Sequence, residues 1–337
     1  MPRQVHNNNQ SGEAMRAALY KEFGPLENMT VVDLPSPQPG KGEVAIKVKA
    51  AGVSFPDVLT VQKKYQYIPE LPFSPGTEVC GTVTAVGEGV TRFKVGDAVF
   101  GNARNACREE TVGEAVKLLP MPAGMDPLVA AGFGMNYATS FYALKYRAEL
   151  KPGETLLVLG ASGGVGIAAV EIGKMMGARV IACASTAEKL ATCKRFGADE
   201  LINYETEDMR EAVKRITGGK GVDVCYDPVG DKYAEPMVRS MAWNGRYLVV
   251  GFAAGQIPKI ALNLALLKGC SLMGVFWGGF TVAQPERSRE VFAELTQLVA
   301  DGKLKPLISA TYTLEQTAQA LIDLNSRKVQ GKIVIVP

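Results

Sequence analysis

The segment Gly160-Ala161-Ser162-Gly163-Gly164-Val165-Gly166 constrains the fold more than any other part of this chain. It follows the uniformly apolar run 156–159, which reads as a parallel strand buried on both faces. It leads into Val165, Ala168, Ala169, Ile172 and Met176, which recur at helical spacing until Gly177 ends the pattern. Glycines at 160, 163 and 166 between a strand and a helix permit a tight turn, close approach of a diphosphate to the backbone, and close strand–helix contact. The helix start adds unpaired N–H groups and the positive end of its dipole. A plain structural turn is the bland alternative. The complete strand–loop–helix setting favours a dinucleotide site made by residues 160–166.

The grammar around this loop is strand, helix, strand, helix. Strands are expected at 180–183, 200–202, 222–226, 246–250 and 272–276, with helices at 189–196 and 207–216 between them. That is a doubly wound α/β pattern with a parallel sheet. Residues 15–122 have another texture: Val44, Ile46 and Val48 alternate with Ala45, Lys47 and Lys49, and the runs 79–86 and 95–100 are broken by glycine turns. This reads as a small distorted β-barrel. A helix at 286–300, a strand at 307–312, a helix at 314–325 and a strand at 332–336 are too few for a third domain and are expected to return to the barrel. The division is thus a tail at 1–14, a barrel domain at 15–138, a cofactor domain at 139–277 and a returning segment at 278–337.

Size and charge exclude several classes. The 337 residues suit two domains, and 47% apolar against 21% charged residues gives a large core. A net charge of +3 supplies no electrostatic footprint for nucleic acid or membrane. No apolar run is long enough for a bilayer span, and residues 1–14 carry no signal-peptide pattern. Cys80, Cys107, Cys183, Cys193, Cys225 and Cys270 are scattered without C-x-x-C spacing, so reduced thiols and a cytoplasmic compartment are expected. The single histidine, His6, lies in the tail, which leaves the folded body without a histidine-containing zinc site or a histidine proton relay.

The second strand bears on the cofactor. An enzyme using NAD usually ends it with Asp or Glu to bind the ribose 2′-hydroxyl. Here it ends Ala182-Cys183-Ala184-Ser185, without an acid. Ser185 can donate to a 2′-phosphate and Lys189 can pair with its charge, which favours NADPH. Two bland readings compete: Ser185 with Glu188 as a capping box, and Lys189 as a solvated helix face.

With Ala50-Ala51-Gly52-Val53, Pro75-Gly76-Thr77-Glu78, Val95-Gly96-Asp97, the 160–166 loop, Lys189 with Tyr204, and Gln330-Gly331-Lys332, the chain resembles the medium-chain dehydrogenase/reductase superfamily. Within it the similarity is to the zinc-independent quinone oxidoreductase (zeta-crystallin-like) branch, over nearly the whole chain from Met15. The resemblance implies a GroES-like barrel catalytic domain beside a Rossmann domain, with the active site in the cleft between them. It implies that Ser185, Lys189 and Tyr204 form a 2′-phosphate pocket, and that Thr139, Gly251, Phe252 and Lys332 line the nicotinamide side or the pyrophosphate. Zinc alcohol dehydrogenases of the superfamily carry cysteine where this chain has Ser54 and histidine where it has Thr77. A homodimer joined through the strand at 272–276 is also implied. One departure is Leu59, where some members carry tyrosine; Tyr65 and Tyr67 on the following loop are the next candidates to shape the substrate mouth.

The expected activity is NADPH-dependent hydride transfer to a quinone, with no metal and with Tyr65 as candidate proton donor. Packing at the rim is the commoner reason for a tyrosine there. Trp277 and Phe276 are candidate pocket walls or structural aromatics. An enoyl-thioester or enone reductase is the rival, with Lys63 and Lys64 as its basic rim. A non-catalytic NADPH-binding structural or regulatory protein is the third reading.

Overall fold

The structure, a computed structural model, describes residues 14–337. His6 and the tail expected over 1–14 lie outside the described residues, except Ala14, which opens the strand Ala14–Leu19. Two main sheets carry the fold. The first has six parallel strands in the spatial order Glu200–Asn203, Arg179–Ala184, Thr155–Val158, Val222–Asp227, Met241–Val249, Ser271–Gly274. Chain order reverses beside Thr155–Val158, so the crevice at its carboxyl end is the switch point where α/β sheets bind ligands. Both faces of this strand are covered, as its unbroken apolar run requires. Leu156 and Val158 join one core and Leu157 and Leu159 the other.

The second sheet is the barrel. Its order is Ile308–Thr313, Lys332–Val336, Glu43–Val53, Glu78–Val86, Ala98–Asn102, Leu118–Pro120, with Glu110–Glu114 also pairing Glu43–Val53. The last strand runs antiparallel to Glu43–Val53, with Ile333 opposite Val53. The C-terminal strands therefore complete the barrel sheet, far in sequence from its other strands.

Several details differ from the reading of the sequence. The strand expected at 95–100 is Ala98–Asn102, because the Gly96 turn (φ +94°) uses up the residues before it. The strand expected at 272–276 is Ser271–Gly274, and Trp277 opens a helix, Trp277–Ala283, that no apolar periodicity announced. The helices Pro127–Gly132 and Gly134–Phe141 were also unannounced. They are short, and held by packing in the core rather than by intrinsic propensity.

Candidate functional site

The glycine loop lies at the switch point. Gly160 has φ +55°, a left-handed conformation that glycine adopts without penalty. A Cβ on Gly166 would lie 2.2 Å from the Gly160 carbonyl oxygen, and one on Gly164 would lie 2.3 Å from Asn136 Nδ2. Backbone demands glycine at 166, whereas a side chain at 164 would have to displace the Asn136 amide. Gly163 is different: a Cβ there would meet only the Gly160 oxygen, at 3.4 Å. The chain leaves space on that side of the loop. Gly163 precedes the helix Gly164–Met175 without any side-chain cap, and the first ladder bond runs from Ile167 N–H to the Gly163 carbonyl. The amides of Gly164, Val165 and Gly166 stand ahead of that ladder, with the dipole's positive end behind them. Ala161 and Ser162 are buried; Ala161 N–H anchors the loop to the Cys183 carbonyl at 3.0 Å. A diphosphate fits this cradle.

At the end of the second strand Ser185, Lys189 and Tyr204 come together. Lys189 Nζ donates to Ser185 Oγ at 3.3 Å, and Tyr204 lies close enough to Ser185 for that hydroxyl to act on its phenol. Burial, more than its neighbours, pushes the Tyr204 phenol up. The capping box of Ser185 with Glu188 is not formed. Thr186 is the N-cap, with extended backbone and its Oγ1 accepting from Lys189 N–H at 3.3 Å. The extra residue between strand and helix releases the Ser185 hydroxyl toward Lys189. Lys189 is not merely a solvated helix face either, since Nζ also donates to the Arg327 carbonyl at 2.9 Å.

That bond belongs to a strap from the C-terminal segment. Arg327 donates to the Ala253 carbonyl at 3.2 Å, Gln330 Nε2 to Glu188 Oε1 at 3.0 Å, and Gly331 N–H to the Ser162 carbonyl at 2.8 Å. Of the strap's own residues the sequence signalled only Gln330 and Gly331, within a motif. Gly251 and Phe252 follow the fifth strand of the parallel sheet. Gly251 N–H reaches the Asp227 carbonyl at 3.3 Å, and the Phe252 ring is 39% exposed, above Gly230. Thr139 lies in the helix Gly134–Phe141, its hydroxyl on the Met135 carbonyl at 2.7 Å. Asn136 of the same helix packs its amide on Gly164, a neighbour that nothing in the sequence foretold.

On the barrel side Lys332 is 3% exposed, and its ammonium donates to Ser54 Oγ and to Glu78 Oε2. Glu78 Oε1 accepts from Met135 N–H at 2.7 Å. Asp57, fully enclosed, accepts from Ser54 N–H at 2.7 Å and Gly76 N–H at 2.9 Å. Burial raises the Asp57 carboxyl above its ordinary range, against those two amides and Lys332. Tyr65 is half-buried near Asp57; burial first, and that carboxylate second, raise its phenol above 10. Tyr67 is taken by Arg104, which donates to its hydroxyl at 2.7 Å and covers its ring at 4.1 Å. Lys64 donates to Gln62, and Lys63 lies over Phe23, so neither is aimed at the cleft by a contact of its own. Trp277 packs with Tyr142 and Phe280, whereas Phe276 is 59% exposed.

The residues present do not fit a zinc ion. Among the described residues no group of three or more His, Cys, Asp or Glu side chains is placed to hold a metal. Where zinc relatives would have a cysteine ligand stands Ser54, bonded to the ammonium of Lys332. The described thiols are unpaired, and all but Cys270 are buried. Burial pushes Cys80 up to about 11 and Cys193 up to about 12, which leaves both unreactive.

Family models agree with this two-domain arrangement. Residues 40–146 match the alcohol dehydrogenase GroES-like domain, and residues 164–301 match the model described as zinc-binding dehydrogenase. The chain is 37% identical over 328 residues to quinone oxidoreductase-like protein 2 homolog of Nematostella vectensis, covering 96% of this chain and 89% of that protein. A solved structure of a mycobacterial protein complexed with NADPH is 34% identical, with a TM-score of 0.90 and coverage of 96% of this chain and 100% of that one. The NADPH complex of Escherichia coli quinone oxidoreductase is 30% identical, with a TM-score of 0.87 and coverage of 96% and 99%. The chain belongs to the medium-chain dehydrogenase/reductase superfamily, in its quinone oxidoreductase-like branch.

Proposed function

We propose that the chain is an NADPH-dependent oxidoreductase that reduces a quinone without zinc. One observation carries the cofactor half of this reading: Gly163 is a glycine that no atom of the chain requires, at the mouth of an uncapped helix. The diphosphate would lie over residues 160–166, the 2′-phosphate against Ser185, Lys189 and Tyr204, and the nicotinamide toward Thr139, Gly251 and Phe252. Lys332 acts beside it through its buried pair rather than by reaching the cofactor with a free ammonium. NADPH supplies the hydride when bound. The protein's own part is to hold the acceptor in register and exclude water. Tyr65, whose phenol stays protonated at neutral pH, supplies the proton to the reduced acceptor.

The acceptor half is supported by the names of the relatives and by the absence of fitting metal ligands among the described residues. A homodimer is part of the same reading. The strand Ser271–Gly274 has one paired edge and one open edge, and Leu262, Leu266, Leu267 and Phe276 are exposed near it. No helix among the described residues is long and apolar enough to cross a membrane, and the buried reduced thiols suit the cytoplasm.

The test is NADPH oxidation across short quinones, enones and enoyl thioesters, with and without a chelator. Turnover fastest with quinones and indifferent to chelator is expected. Turnover with enoyl thioesters alone would replace the acceptor, and loss of activity on chelation would remove the metal-free mechanism.

A further inference from the structure

We propose that Ser54 donates the hydrogen bond that the acceptor's oxygen receives, and that Lys332 is the positioning residue that aims it. This rests on the quinone reading above and deepens it. The argument begins with a chain of fixed groups. Glu78 Oε1 is held by the Met135 amide at 2.7 Å, and its other oxygen holds the Lys332 ammonium. That ammonium donates to Ser54 Oγ at 2.5 Å. The Ser54 backbone is pinned in turn by Asp57 through its N–H at 2.7 Å. Ser54, Glu78 and Lys332 are 7%, 5% and 3% exposed, so solvent does little to loosen them.

The hydroxyl oxygen thus faces a cation. A hydroxyl that accepts from a cation still has its own hydrogen to give, and no acceptor among the described residues takes it. A largely buried hydroxyl with an unclaimed hydrogen is costly unless something else receives the bond. The residual exposure of Ser54 leaves a way in.

Location makes the acceptor's oxygen the fitting partner. Lys332 adjoins Gly331, whose N–H is bonded to the glycine loop at Ser162. Met135 opens the helix that carries Asn136 onto Gly164 and also carries Thr139. The barrel, the strap and the helix Gly134–Phe141 therefore meet at the Glu78–Lys332 pair that holds this hydroxyl. As a hydride reaches a carbonyl compound, negative charge gathers on its oxygen. A donor fixed beforehand beside a buried cation stabilises that charge better than water, which must reorient. Hydride plus one proton converts quinone to hydroquinone; Ser54 keeps its hydrogen throughout and no bond to it is made or broken.

The test uses the full chain with NADP+, which cannot reduce, and duroquinone as the probe. In the native protein, infrared difference spectra are expected to show one carbonyl stretch displaced to lower frequency than the other. Ser54→Ala abolishes that displacement, and Ser54→Thr restores it. With NADPH, Ser54→Ala lowers kcat on the order of 100-fold, as removal of an oxyanion donor does, while the NADPH dissociation constant stays within about twofold. Lys332→Met broadens or loses the displaced band; if that variant does not fold, the Ser54 pair decides alone. A displaced band and full kcat in Ser54→Ala, with duroquinone still bound, would overturn this inference and leave the quinone reading standing. Loss of NADPH affinity equal to the loss of kcat would also overturn it, because Ser54 would then be only a structural pin. Failure of the native protein to bind duroquinone would overturn both.

Discussion

Gly331 and Ser162 share a backbone hydrogen bond of 2.8 Å, from the Gly331 N–H to the Ser162 carbonyl. It joins the entry to the last barrel strand to the heart of the glycine loop, across 169 positions of sequence by subtraction of the two residue numbers. The loop that would hold a diphosphate and the lysine at the barrel's buried charge pair are therefore one residue apart through this bond.

Gly163 and Gly166 should respond oppositely to alanine. Gly166→Ala drives a Cβ to 2.2 Å from the Gly160 carbonyl oxygen and is expected to cost about 3 kcal/mol of stability. Gly163→Ala meets nothing closer than 3.4 Å and is expected to leave stability unchanged or raised by up to about 1 kcal/mol. Its NADPH affinity should nonetheless drop roughly tenfold or more. Thermal melts and fluorescence titration check the pair; unaltered NADPH binding in Gly163→Ala would refute a ligand on that face.

Lys189→Ala removes the cation beside Ser185 and Tyr204. NADPH binding should weaken about tenfold, or about 1.4 kcal/mol, while NADH binding is unaffected. Calorimetric titration with both nucleotides measures the difference. Equal losses for the two would mean that the contact with the Arg327 carbonyl, and not phosphate recognition, is the role of this lysine.

Tyr65→Phe should lower turnover with a two-electron acceptor about 100-fold. Because burial holds the phenol above its ordinary value of 10, the protonated form is present through neutral pH and is lost only as pH rises beyond that value. The alkaline limb of the native pH–rate profile should lie above 10 and disappear in the variant. Full turnover in Tyr65→Phe would end the proton-donor role.

Glu154 and Arg246 form a two-pronged pair at 2.8 and 2.6 Å, with the Lys151 amide on the same carboxylate at 2.8 Å. Burial pushes the Glu154 carboxyl up, but these donors outweigh it and the net shift is downward from 4.5. A depressed folded-state value means that the pair's stabilisation is present above the unfolded value and is lost as pH falls through the folded one. Glu154→Gln should cost about 2 kcal/mol at pH 7. The gap to the native protein should close below pH 4.5. Denaturant melts across that range check the sign.

Replacing Leu266 and Leu267, 78% and 71% exposed, with glutamate should give a monomer by light scattering if the open edge at Ser271–Gly274 is the dimer seam. A native protein that is already monomeric would remove the dimer from the proposal.

The sequence alone was sufficient for the glycine loop, the parallel strands around it and the absence of histidine from residues 14–337. Each of these is local. A buried parallel strand needs only a short apolar run, a tight turn needs glycine at fixed offsets, and a ligand type is present or it is not. It also singled out Ser185, Lys189 and Tyr204, which the fold brings together, although the cap assignment at Ser185 was off by one residue, since strand and helix ends are set by backbone geometry that neighbouring residues negotiate.

Tertiary structure decided the rest. Ser54, Glu78 and Lys332 lie up to 278 positions apart, and no periodicity links them. Their meeting depends on the last strand entering the barrel sheet beside Glu43–Val53, with Lys332 one step before the first paired residue, Ile333. Asn136 reaches Gly164 for the same kind of reason: two helices unremarkable in sequence pack where the two sheets face each other. Local chemistry fixes what a segment becomes; which distant side chains share a buried site follows from how the finished sheets and helices close on one another.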